Sequence, residues 1–596
     1  MQRVFLVVIL AVFAACVSGQ TLAPGFDLTN YGVRIEPDKR LIVVLSTLEM
    51  ATAKNAAGVE EKLINTLLSE QGSQFREQLL KDNASLSPTL RQKISSFVAQ
   101  YKKRNPKATD AEIVAPFISM AYTLTPVPEL GDPVITSDLP GNLLDVLDFA
   151  PLVREFYRNS IIGSKLDKYV ADARLLADGM LRGSTRDMVG DLLDYLHTRP
   201  QLIYSERVKV ETRKGTSKRQ TLTKIEIREH DRHFYIVPEN LAPKGNINFL
   251  NIRDDYYLII PPDTVVSNSE GRRAFLQFVI DPIVLSKSKE IAGMREWGRP
   301  LLEDLRKADT AISPDIFLAM SHSLVAAVDV RQSEFKKIRI ATDQARQRIG
   351  LLKTDDEKKA LFKELEKFKE SLADEATLQL YDDYQRGAVF SYYFAEQLKG
   401  VEDSGFDISS SLREMIATFD PAKETLRVAA TPNTRKRALA AREDRKNHPE
   451  NRMMMAENPI TTRLLEIQKM IDAKDLVKAN AELKQLLTVS PSEPRIYYNL
   501  GRVASLTAEG ITEPDAQARK LLEAKNAYSN VLSIATQNTD KALLSLTYVA
   551  LARVYEFFNR NDYAIKLYDE AIKLDRVNGG AFQEAMDAKQ RLIKPQ

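Results

Sequence analysis

Histidines, the single cysteine and short catalytic motifs are the places where this sequence could carry chemistry. The chain of 596 residues has five histidines and one cysteine. His230 and His233 are close enough in sequence to suggest metal ligands, but they lie in strand-like sequence, where residues three apart point to opposite faces of a sheet. The serine-hydrolase GxSxG, the phosphate-binding GxxxxGK-S/T and the dinucleotide-binding GxGxxG motifs are absent. We therefore expect no metal, no cofactor and no catalytic residues of these common enzyme classes.

Three acidic residues flank an apolar stretch in the middle of the chain and could act as catalytic carboxylates. They are Glu270, Asp254 and Asp255. A pair of carboxylates can serve as general acid and general base in hydrolysis, provided that both reach one pocket. The sequence therefore leaves open a hydrolase that acts on cell-envelope material, and this alternative requires two of the three side chains to converge.

The apolar stretch itself, residues 272–285 with the sequence RRAFLQFVIDPIVL, has the spacing of a metal-binding helix. We expect a buried helix that ends at Asp281-Pro282, because proline disrupts helical hydrogen bonding. Zincin metallopeptidases place two histidines four residues apart on such a helix, with a glutamate after the first, and some continue as HExxHxxxxP. The corresponding positions of this chain hold Arg273, Ala274, Gln277 and Pro282. The stretch thus resembles a degenerate zincin helix in which both ligands and the general base are replaced.

The resemblance extends at most over residues 202–330 and implies a zincin-like fold without zinc catalysis, because a guanidinium stays protonated and an amide is a poor substitute for imidazole. The third ligand of such sites comes from a later helix, for which His322 is the candidate, and one histidine cannot hold a catalytic zinc. In the alternative interpretation the stretch is an ordinary core helix. Its inward-facing residues would be Phe275, Leu276, Phe278, Val279 and Ile283. The two interpretations differ in whether Arg273, Gln277 and His322 meet in a cleft.

The composition is that of a globular protein long enough for several folding units. Hydrophobic residues make up 44% of the chain and charged residues 28%, so each unit can bury a sizeable core. The formal net charge of +3 is too close to balance to indicate a nucleic-acid-binding protein. We predict an α+β main domain, mostly helical with a central antiparallel or mixed sheet, followed by an all-α C-terminal domain.

Residues 1–19 have the pattern of a secretory signal peptide. Arg3 precedes an apolar run over residues 4–15, which at about a dozen residues is shorter than the roughly 20 of a membrane-spanning helix. We predict cleavage after Gly19 and an extracytoplasmic location in a bacterium, in the periplasm or at the cell surface. Lipidation of Cys16 is an alternative, and only in that case do we expect membrane association. Since Cys16 is the one cysteine, the folded chain has no thiol for a disulfide or a metal.

The main domain is predicted to span residues 20–429 in three parts, of which residues 20–200 are the first. A Pro-Asp turn between residues 33–36 and residues 41–45 indicates a β-hairpin at its start. Apolar residues then recur at helical intervals, which predicts a series of helices.

Residues 201–330 are predicted to carry the sheet and the central helix. Apolar residues alternate with period two over residues 202–260, which is typical of strands. The basic tip of one hairpin, residues 213–219, is expected to be solvated, because exposed strands commonly carry charged residues. Two more helices are expected after the central one, over residues 291–305 and 313–330.

Residues 331–429 are predicted to contain a helical hairpin, formed by residues 335–352 and by a helix that a capping box at Thr354 opens. The charge-dense residues 430–458 lack aromatic side chains and include three methionines at positions 453–455. This composition indicates a charged linker, in part helical, between the main domain and the C-terminal domain.

Residues 459–596 contain an internal repeat in which large and small residues recur at fixed positions. The last copy resembles a tetratricopeptide repeat at seven of eight signature positions, with Arg576 where proline is usual. The seven are Tyr548, Leu551, Ala552, Tyr555, Ala564, Tyr568 and Ala571. An earlier copy, interrupted by about eleven extra residues relative to the repeat period, is marked by Tyr497, Leu500, Gly501, Ala524, Tyr528 and Val531. A degenerate first copy precedes these two, which makes three repeats. A capping helix over residues 580–592 follows the last repeat.

The repeat resemblance implies an all-α tetratricopeptide solenoid, whose stacked helix pairs form a groove for an extended peptide or a partner's helix. The leading hypothesis is therefore an exported, non-enzymatic protein that binds a protein or peptide partner through residues 459–596. The alternative for this region is a bracing or dimerising role in a structural envelope protein. The signature residues pack the helices against one another, so they identify neither the partner nor the oligomeric state.

Overall fold

A computed structural model describes most of the chain. The described residues are 27–54, 58–133, 141–213, 221–349, 354–405, 407–447, 459–536, 539–577 and 579–593. The predicted signal peptide with Cys16, residues 214–219 of the basic tip and the three methionines at 453–455 lie outside them. The chain divides into a larger unit, Leu28–Asn458, and a smaller unit built from Pro459–Gln596. Within the described residues, no helix combines the length and the apolar composition that a membrane crossing requires.

The larger unit begins with a short 3-10 helix, a strand and a buried helix. These are Leu28–Tyr31, β1 at Val33–Ile35 and α1 at Lys39–Leu48. The predicted hairpin was wrong, because residues 41–45 lie in α1. The Asp38 carboxylate caps this helix by accepting hydrogen bonds from the backbone N–H groups of Arg40 and Leu41. A short apolar run fits a strand or a buried helix equally well, and α1 is buried along most of its length.

The next region is helical, as predicted, apart from a small antiparallel ribbon of β2 (Thr52–Lys54) and β3 (Glu60–Lys62). The helices are α2 Glu70–Asp82, α3 Pro88–Arg104, α4 Asp110–Thr123, α5 Gly141–Leu147, α6 Ala150–Asn159, α7 Ile162–Met180 and α8 Arg182–Leu196. Apolar residues from helices α1 to α7 form one large core. Aromatic rings pack edge to face within it, as Phe117 and Phe149 do at a centroid distance of 5.1 Å.

A four-stranded mixed sheet packs one face against this core through Val237 and Ile259. The later strands are β4 Ile203–Arg213, β5 Thr221–Asp231, β6 Phe234–Pro238, β7 Asn248–Ile252 and β8 Asp255–Ile260. The order is β1-β6-β8-β7, with β1, β6 and β8 parallel and β7 antiparallel to β8. Strands β4 and β5 form a separate antiparallel ribbon of eleven residue pairs. The larger unit is thus a helix-rich α+β fold with a mixed sheet, as expected.

Helix α9, Ser269–Ser286, packs on the opposite face of the sheet. Successive strand residues point to opposite faces, so the residues next to Val237 and Ile259 in sequence turn toward α9. The ring of Phe275 lies 5.4 Å from that of Phe234, and the ring of Phe278 lies 5.5 Å from that of Tyr256. Aromatic packing therefore fixes α9 against β6 and β8.

Proline does not end α9, so the predicted stop at Asp281-Pro282 was wrong. The helix continues for four residues beyond Pro282, to Ser286. A proline removes the hydrogen bond to the carbonyl four residues earlier, which here belongs to Phe278. The guanidinium of Arg232 donates to that carbonyl instead, at 3.0 Å, and lies over the Phe278 ring at 4.8 Å. A distant arginine thus satisfies the carbonyl that proline leaves unpaired, and the helix can continue.

Eight further helices complete the described part of the larger unit. They are α10 Ser288–Gly293, α11 Arg295–Arg306, α12 Ile316–Ile349, α13 Asp355–Gln385, α14 Ser391–Ser404, α15 Ile408–Ala417, α16 Pro421–Ala429 and α17 Pro432–Asn447. Residues 291–305 are divided between α10 and α11, where one helix was expected. Conversely, α12 is a single helix of 34 residues, where two were expected. It contains no glycine or proline, so nothing local ends it near residue 330.

The helical hairpin of α12 and α13 is confirmed. Both hydrogen bonds of the capping box between Thr354 and Glu357 are present, and they open α13 as predicted. Ala345 of α12 packs with Leu361 and Leu365 of α13 in a small apolar cluster. The sequence identified this pair correctly because both signals, the capping box and the apolar spacing, are local.

The segment predicted as a linker contains helix α17, which packs on α13. The Arg437 guanidinium donates two hydrogen bonds to Asp374, at 2.8 and 2.7 Å, and Arg442 donates to Glu375 at 2.9 and 2.6 Å. Arg435 lies 3.5 Å above the ring of Tyr381. The linker prediction is therefore wrong over α17, because its charges have partners on α13. Residues 448–458 lie outside the described residues.

The smaller unit consists, in its described part, of three helix pairs and a final helix. The helices are α18 Pro459–Asp472, α19 Leu476–Val489, α20 Pro494–Glu509, α21 Pro514–Ile534, α22 Lys541–Phe557, α23 Asn561–Lys573 and α24 Phe582–Ile593. Each helix of a pair contacts the other, and small residues lie under large ones. Ala564 and Tyr568, for example, are both fully buried in one cluster with Tyr548.

Gly501 shows how closely one pair is packed, and replacing it with alanine is expected to destabilise the smaller unit by about 1–3 kcal/mol. A Cβ atom at this position would lie 2.4 Å from the ring of Tyr528, which is buried. Unfolding by urea, followed by circular dichroism, measures the change. Helix propensity alone would make alanine stabilising, so an unchanged or higher stability would contradict the close approach. In a Tyr528→Leu background, the same substitution should cost less, because the obstructing ring is gone.

Candidate functional site

Helix α9 presents one polar stripe on an otherwise apolar helix. Arg273, Gln277 and Asp281 lie four residues apart and therefore share a face. Ala274 and the five residues predicted to face inward are buried. Those five are Phe275, Leu276, Phe278, Val279 and Ile283. The core-helix interpretation therefore describes most of α9, and the polar stripe is what remains to be explained.

Arg273 is held by two buried carboxylates from different helices. Its Nη1 and Nη2 atoms donate to Asp383 of α13, both at 2.7 Å, and its Nε donates to Asp329 of α12 at 2.8 Å. The side chains of Asp329 and Asp383 are only 4% and 8% exposed. Burial alone would lower the pKa of the Arg273 guanidinium, but Asp383 and Asp329 outweigh burial and raise this pKa above its ordinary value. Arg273 therefore stays charged.

Two neighbours complete the shell around Asp329. Arg272 donates from Nη2 to the Asp329 backbone carbonyl at 2.7 Å and also to its carboxylate. The hydroxyl of Ser269 donates to the same carboxylate at 2.6 Å. Two guanidinium groups thus face two carboxylates between α9, α12 and α13, and we call Arg272, Arg273, Asp329 and Asp383 the ion-pair cluster. The two positive and two negative charges of the ion-pair cluster balance, and this balance permits the charged groups to be buried.

The other end of the polar stripe is organised around Asp281. Its carboxylate accepts hydrogen bonds from the hydroxyl of Tyr256, at 2.6 Å, and from the hydroxyl of Ser321 on α12. His322, the next residue, lies at the surface, yet partial burial of its ring lowers the pKa of the imidazole, and the negative charges of Asp281 and Asp383 oppose this shift. His322 and Arg273 therefore share Asp383 as an electrostatic neighbour.

The ion-pair cluster lies where the zincin comparison would place a metal site, but its chemistry is different. Arg273 brings a permanent cation, and the carboxylates around it already accept hydrogen bonds. Among the described residues, no group of three or more His, Cys, Asp or Glu side chains could hold a metal ion. The arrangement can fix α9, α12 and α13 to one another, and it offers neither an open coordination position nor an unpaired base.

The structure does not bring Glu270 together with Asp254 and Asp255. The C-terminal part of α9 lies at the start of β8, because Asp281 accepts a hydrogen bond from Tyr256. Glu270 lies eleven residues before Asp281, which places it about 16 Å away along the helix. Asp255 is engaged with His233, whose backbone N–H and Nδ1 both lie 3.1 Å from its carboxylate. Glu270 therefore does not pair with Asp254 or Asp255.

A second buried acidic group, which the sequence patterns did not predict, lies at the carboxyl ends of the parallel strands. Glu239 follows β6 directly and is 1% exposed. Its Oε1 accepts the backbone N–H of Leu241 at 3.0 Å, and its Oε2 is buried without a hydrogen-bond partner among the described residues. Burial raises the pKa of Glu239 to about 7, with a smaller contribution from the charge of Asp38. This carboxyl can bind a proton near neutral pH.

The surroundings of Glu239 come from α1 and α4. Asp38, the N-cap residue of α1, and Arg40, in α1, interact electrostatically with Tyr122 of α4, as Glu239 itself does. The Tyr122 hydroxyl is also buried without a partner among the described residues, and Arg40 lies 4.9 Å above its ring. An acidic residue directly after an apolar strand was the available sequence signal, since this edge is where ligands meet parallel sheets.

The predicted scaffold residues of the smaller unit are mainly core residues. Tyr528 and Leu551 belong to one apolar cluster, and Tyr548, Ala564 and Tyr568 belong to another. The ring of Tyr555 stacks at 5.5 Å on that of Tyr563, while Leu500 packs beside a third cluster. Tyr497 is partly buried. These side chains hold the helix pairs together.

Polar side chains connect the first helices of neighbouring pairs. Arg502 of α20 donates from Nη1 to the amide oxygens of Gln468 on α18, at 2.6 Å, and of Asn499, at 3.3 Å. Arg553 of α22 pairs with Glu584 of α24. Helices α18, α20, α22 and α24 also contact one another in that order, so they form one continuous layer. We call this the inner layer.

Comparisons with known proteins found no relative of this chain. The chain matches no protein-family model, no curated protein and no solved structure.

Proposed function

We propose that the protein is a non-catalytic binding protein, in which the helix pairs of the smaller unit act as a tetratricopeptide-type array for a protein or peptide partner. The observation that carries this proposal is the inner layer, where polar side chains line successive first helices while the apolar signature residues are buried between them. In such an array, packing and recognition are divided between different residues. An extended peptide lying across α18, α20 and α22 would meet the polar side chains first.

The ion-pair cluster supports the non-catalytic part of the proposal. A zincin would need imidazole nitrogens at the positions of Arg273 and Gln277 and a general base at Ala274. Arg273 instead engages two carboxylates, and Ala274 is buried. The larger unit then serves as a scaffold whose central helices are held by charge rather than by a metal. The export of the chain remains a prediction that rests on the leader pattern of residues 1–19.

Arg502 offers a direct test of binding through the inner layer. Peptides selected from a displayed random library on the full-length protein are expected to lose at least about tenfold in affinity, some 1.4 kcal/mol, when Arg502 is replaced by alanine. The matched control is Arg519→Ala, because Arg519 lies on the second helix α21 and is 70% exposed. Fluorescence anisotropy of labelled peptides measures both. Selected peptides that bind the Arg502→Ala and Arg519→Ala variants equally well would place recognition elsewhere.

A further inference from the structure

A small cavity lies between two helical segments of the larger unit. Its volume is about 330 Å3. One wall comes from α10 and α11, where Glu290, Gly293 and Trp297 recur at helical spacing. The opposite wall comes from α15, through Arg413 and Ile416. Two helix stripes therefore face each other across the cavity.

Part of the cavity lining is apolar and buried. Met294 and Ile416 are buried, at 4% and 7% exposure. Phe419, which also lines the cavity, packs edge to face on Phe390 and Tyr393 at centroid distances of 5.4 and 5.0 Å. Side chains held in this way do not need to rearrange before a ligand enters, which lowers the entropic cost of binding.

The rim of the cavity carries one acidic group, one basic group and one aromatic ring. Trp297 is the only tryptophan of the chain, and it is 52% exposed. The carboxylate of Glu290 lies 3.1 Å from Nε of Arg413, whose side chain is 73% exposed while that of Glu290 is 27% exposed. An ion pair this exposed holds its cation weakly. Arg413 therefore occupies a position that another cation can take.

We propose that this cavity binds a small organic cation, an ammonium or guanidinium group attached to an apolar body. The apolar body would lie on Met294 and Ile416, and the cation would replace Arg413 at the Glu290 carboxylate. Trp297 favours the same sign of charge, because the face of an indole ring attracts cations. A carboxylate ligand would meet Glu290, the less exposed of the two charged groups, and would be repelled.

Trp297 makes the test direct, since selective excitation of the one tryptophan reports on the rim of the cavity. The probes are 2-phenylethylammonium, 2-phenylethanol and 3-phenylpropionate, which share a phenyl body and differ in charge. With the full-length protein we expect a saturable change in Trp297 fluorescence for the cation, with a dissociation constant on the order of 1 mM. The neutral alcohol and the anion should bind at least about tenfold more weakly.

Two variants and one control separate binding in the cavity from general adsorption. A side chain added at Gly293 would start in open space, so Gly293→Leu should fill the cavity without a clash and abolish the change. Glu290→Gln should remove the preference for the cation. Gly190→Leu, at another helical glycine whose Cβ would also meet nothing within 4 Å, should bind like the unmodified protein.

The outcomes decide the proposal in both directions. A response that persists in Gly293→Leu, that is equal for the alcohol and the cation, or that is missing for all three probes would overturn it. A second arm uses a capped peptide with lysine next to phenylalanine. Tighter binding of this peptide than of 2-phenylethylammonium would assign the cavity to a protein side chain, and weaker binding would assign it to a free amine.

Discussion

Replacing Arg273 with methionine is expected to lower the free energy of unfolding of the larger unit by about 3–5 kcal/mol. Methionine keeps much of the volume of the arginine stem but removes the charge. Asp383 then has no cation beside it, and Asp329 keeps only Arg272. Asp383 then remains buried without a cation, and an uncompensated buried charge is far more costly than the pair it came from. Urea unfolding, followed by the fluorescence of Trp297 in the same unit, measures the loss.

A matched control separates this effect from the simple removal of an ion pair. Arg437 also makes a two-bond contact with an aspartate, Asp374, but its side chain is 63% exposed. Arg437→Met should therefore leave the stability almost unchanged. Adding Asp383→Asn to Arg273→Met should recover part of the loss, because it removes the charge that has lost its cation. Equal effects of Arg273→Met and Arg437→Met would show that the cluster contributes little to holding α9, α12 and α13 together.

Replacing Glu239 with glutamine is expected to raise the stability of the larger unit by roughly 3 kcal/mol at pH 8, since one pKa unit corresponds to about 1.4 kcal/mol. The pKa of Glu239 is about 7 in the folded protein, against 4.5 for the ordinary carboxyl. Above pH 7 the folded protein must hold a buried carboxylate with one oxygen unpaired, and glutamine removes that charge while its oxygen can still accept from Leu241.

The sign of the pH dependence follows from the direction of this shift. Between pH 4.5 and 7 the folded state binds a proton that the unfolded state releases, so the contribution of Glu239 to stability falls as the pH rises through this window. Below pH 4.5 both states are protonated, and the difference between Glu239 and glutamine should disappear. Urea unfolding of both proteins at pH 4.5, 6 and 8 gives the comparison. The exposed residue Glu270 supplies the control Glu270→Gln, and a gain that is the same at all three pH values would contradict the assignment.

Features that depend on a few neighbouring residues were predictable from the sequence. The capping box at Thr354 and the apolar spacing of α12 and α13 identified their hairpin. The large and small signature residues, such as Gly501 and Tyr528, marked residues that are in contact in the smaller unit. The missing metal ligands on α9 were equally visible, because HExxH is a local pattern. In each case the hydrogen bonds or side-chain contacts join residues at short, regular separations.

Features that depend on distant partners were not predictable, and they include most of the candidate site. Residue patterns alone predicted a helix-rich α+β protein with paired C-terminal helices and an α9 that lacks a zinc motif. The continuation of α9 past Pro282 depends on a tertiary contact, because the carbonyl that proline frees is paired by Arg232, 46 residues away. The contact between Arg273 and Asp383, 110 residues apart, and the burial of Glu239 also arise only from the packing of distant segments. The physical reason is that burial and the pairing of buried charges are set by which segments meet in space, and local spacing carries no information about that.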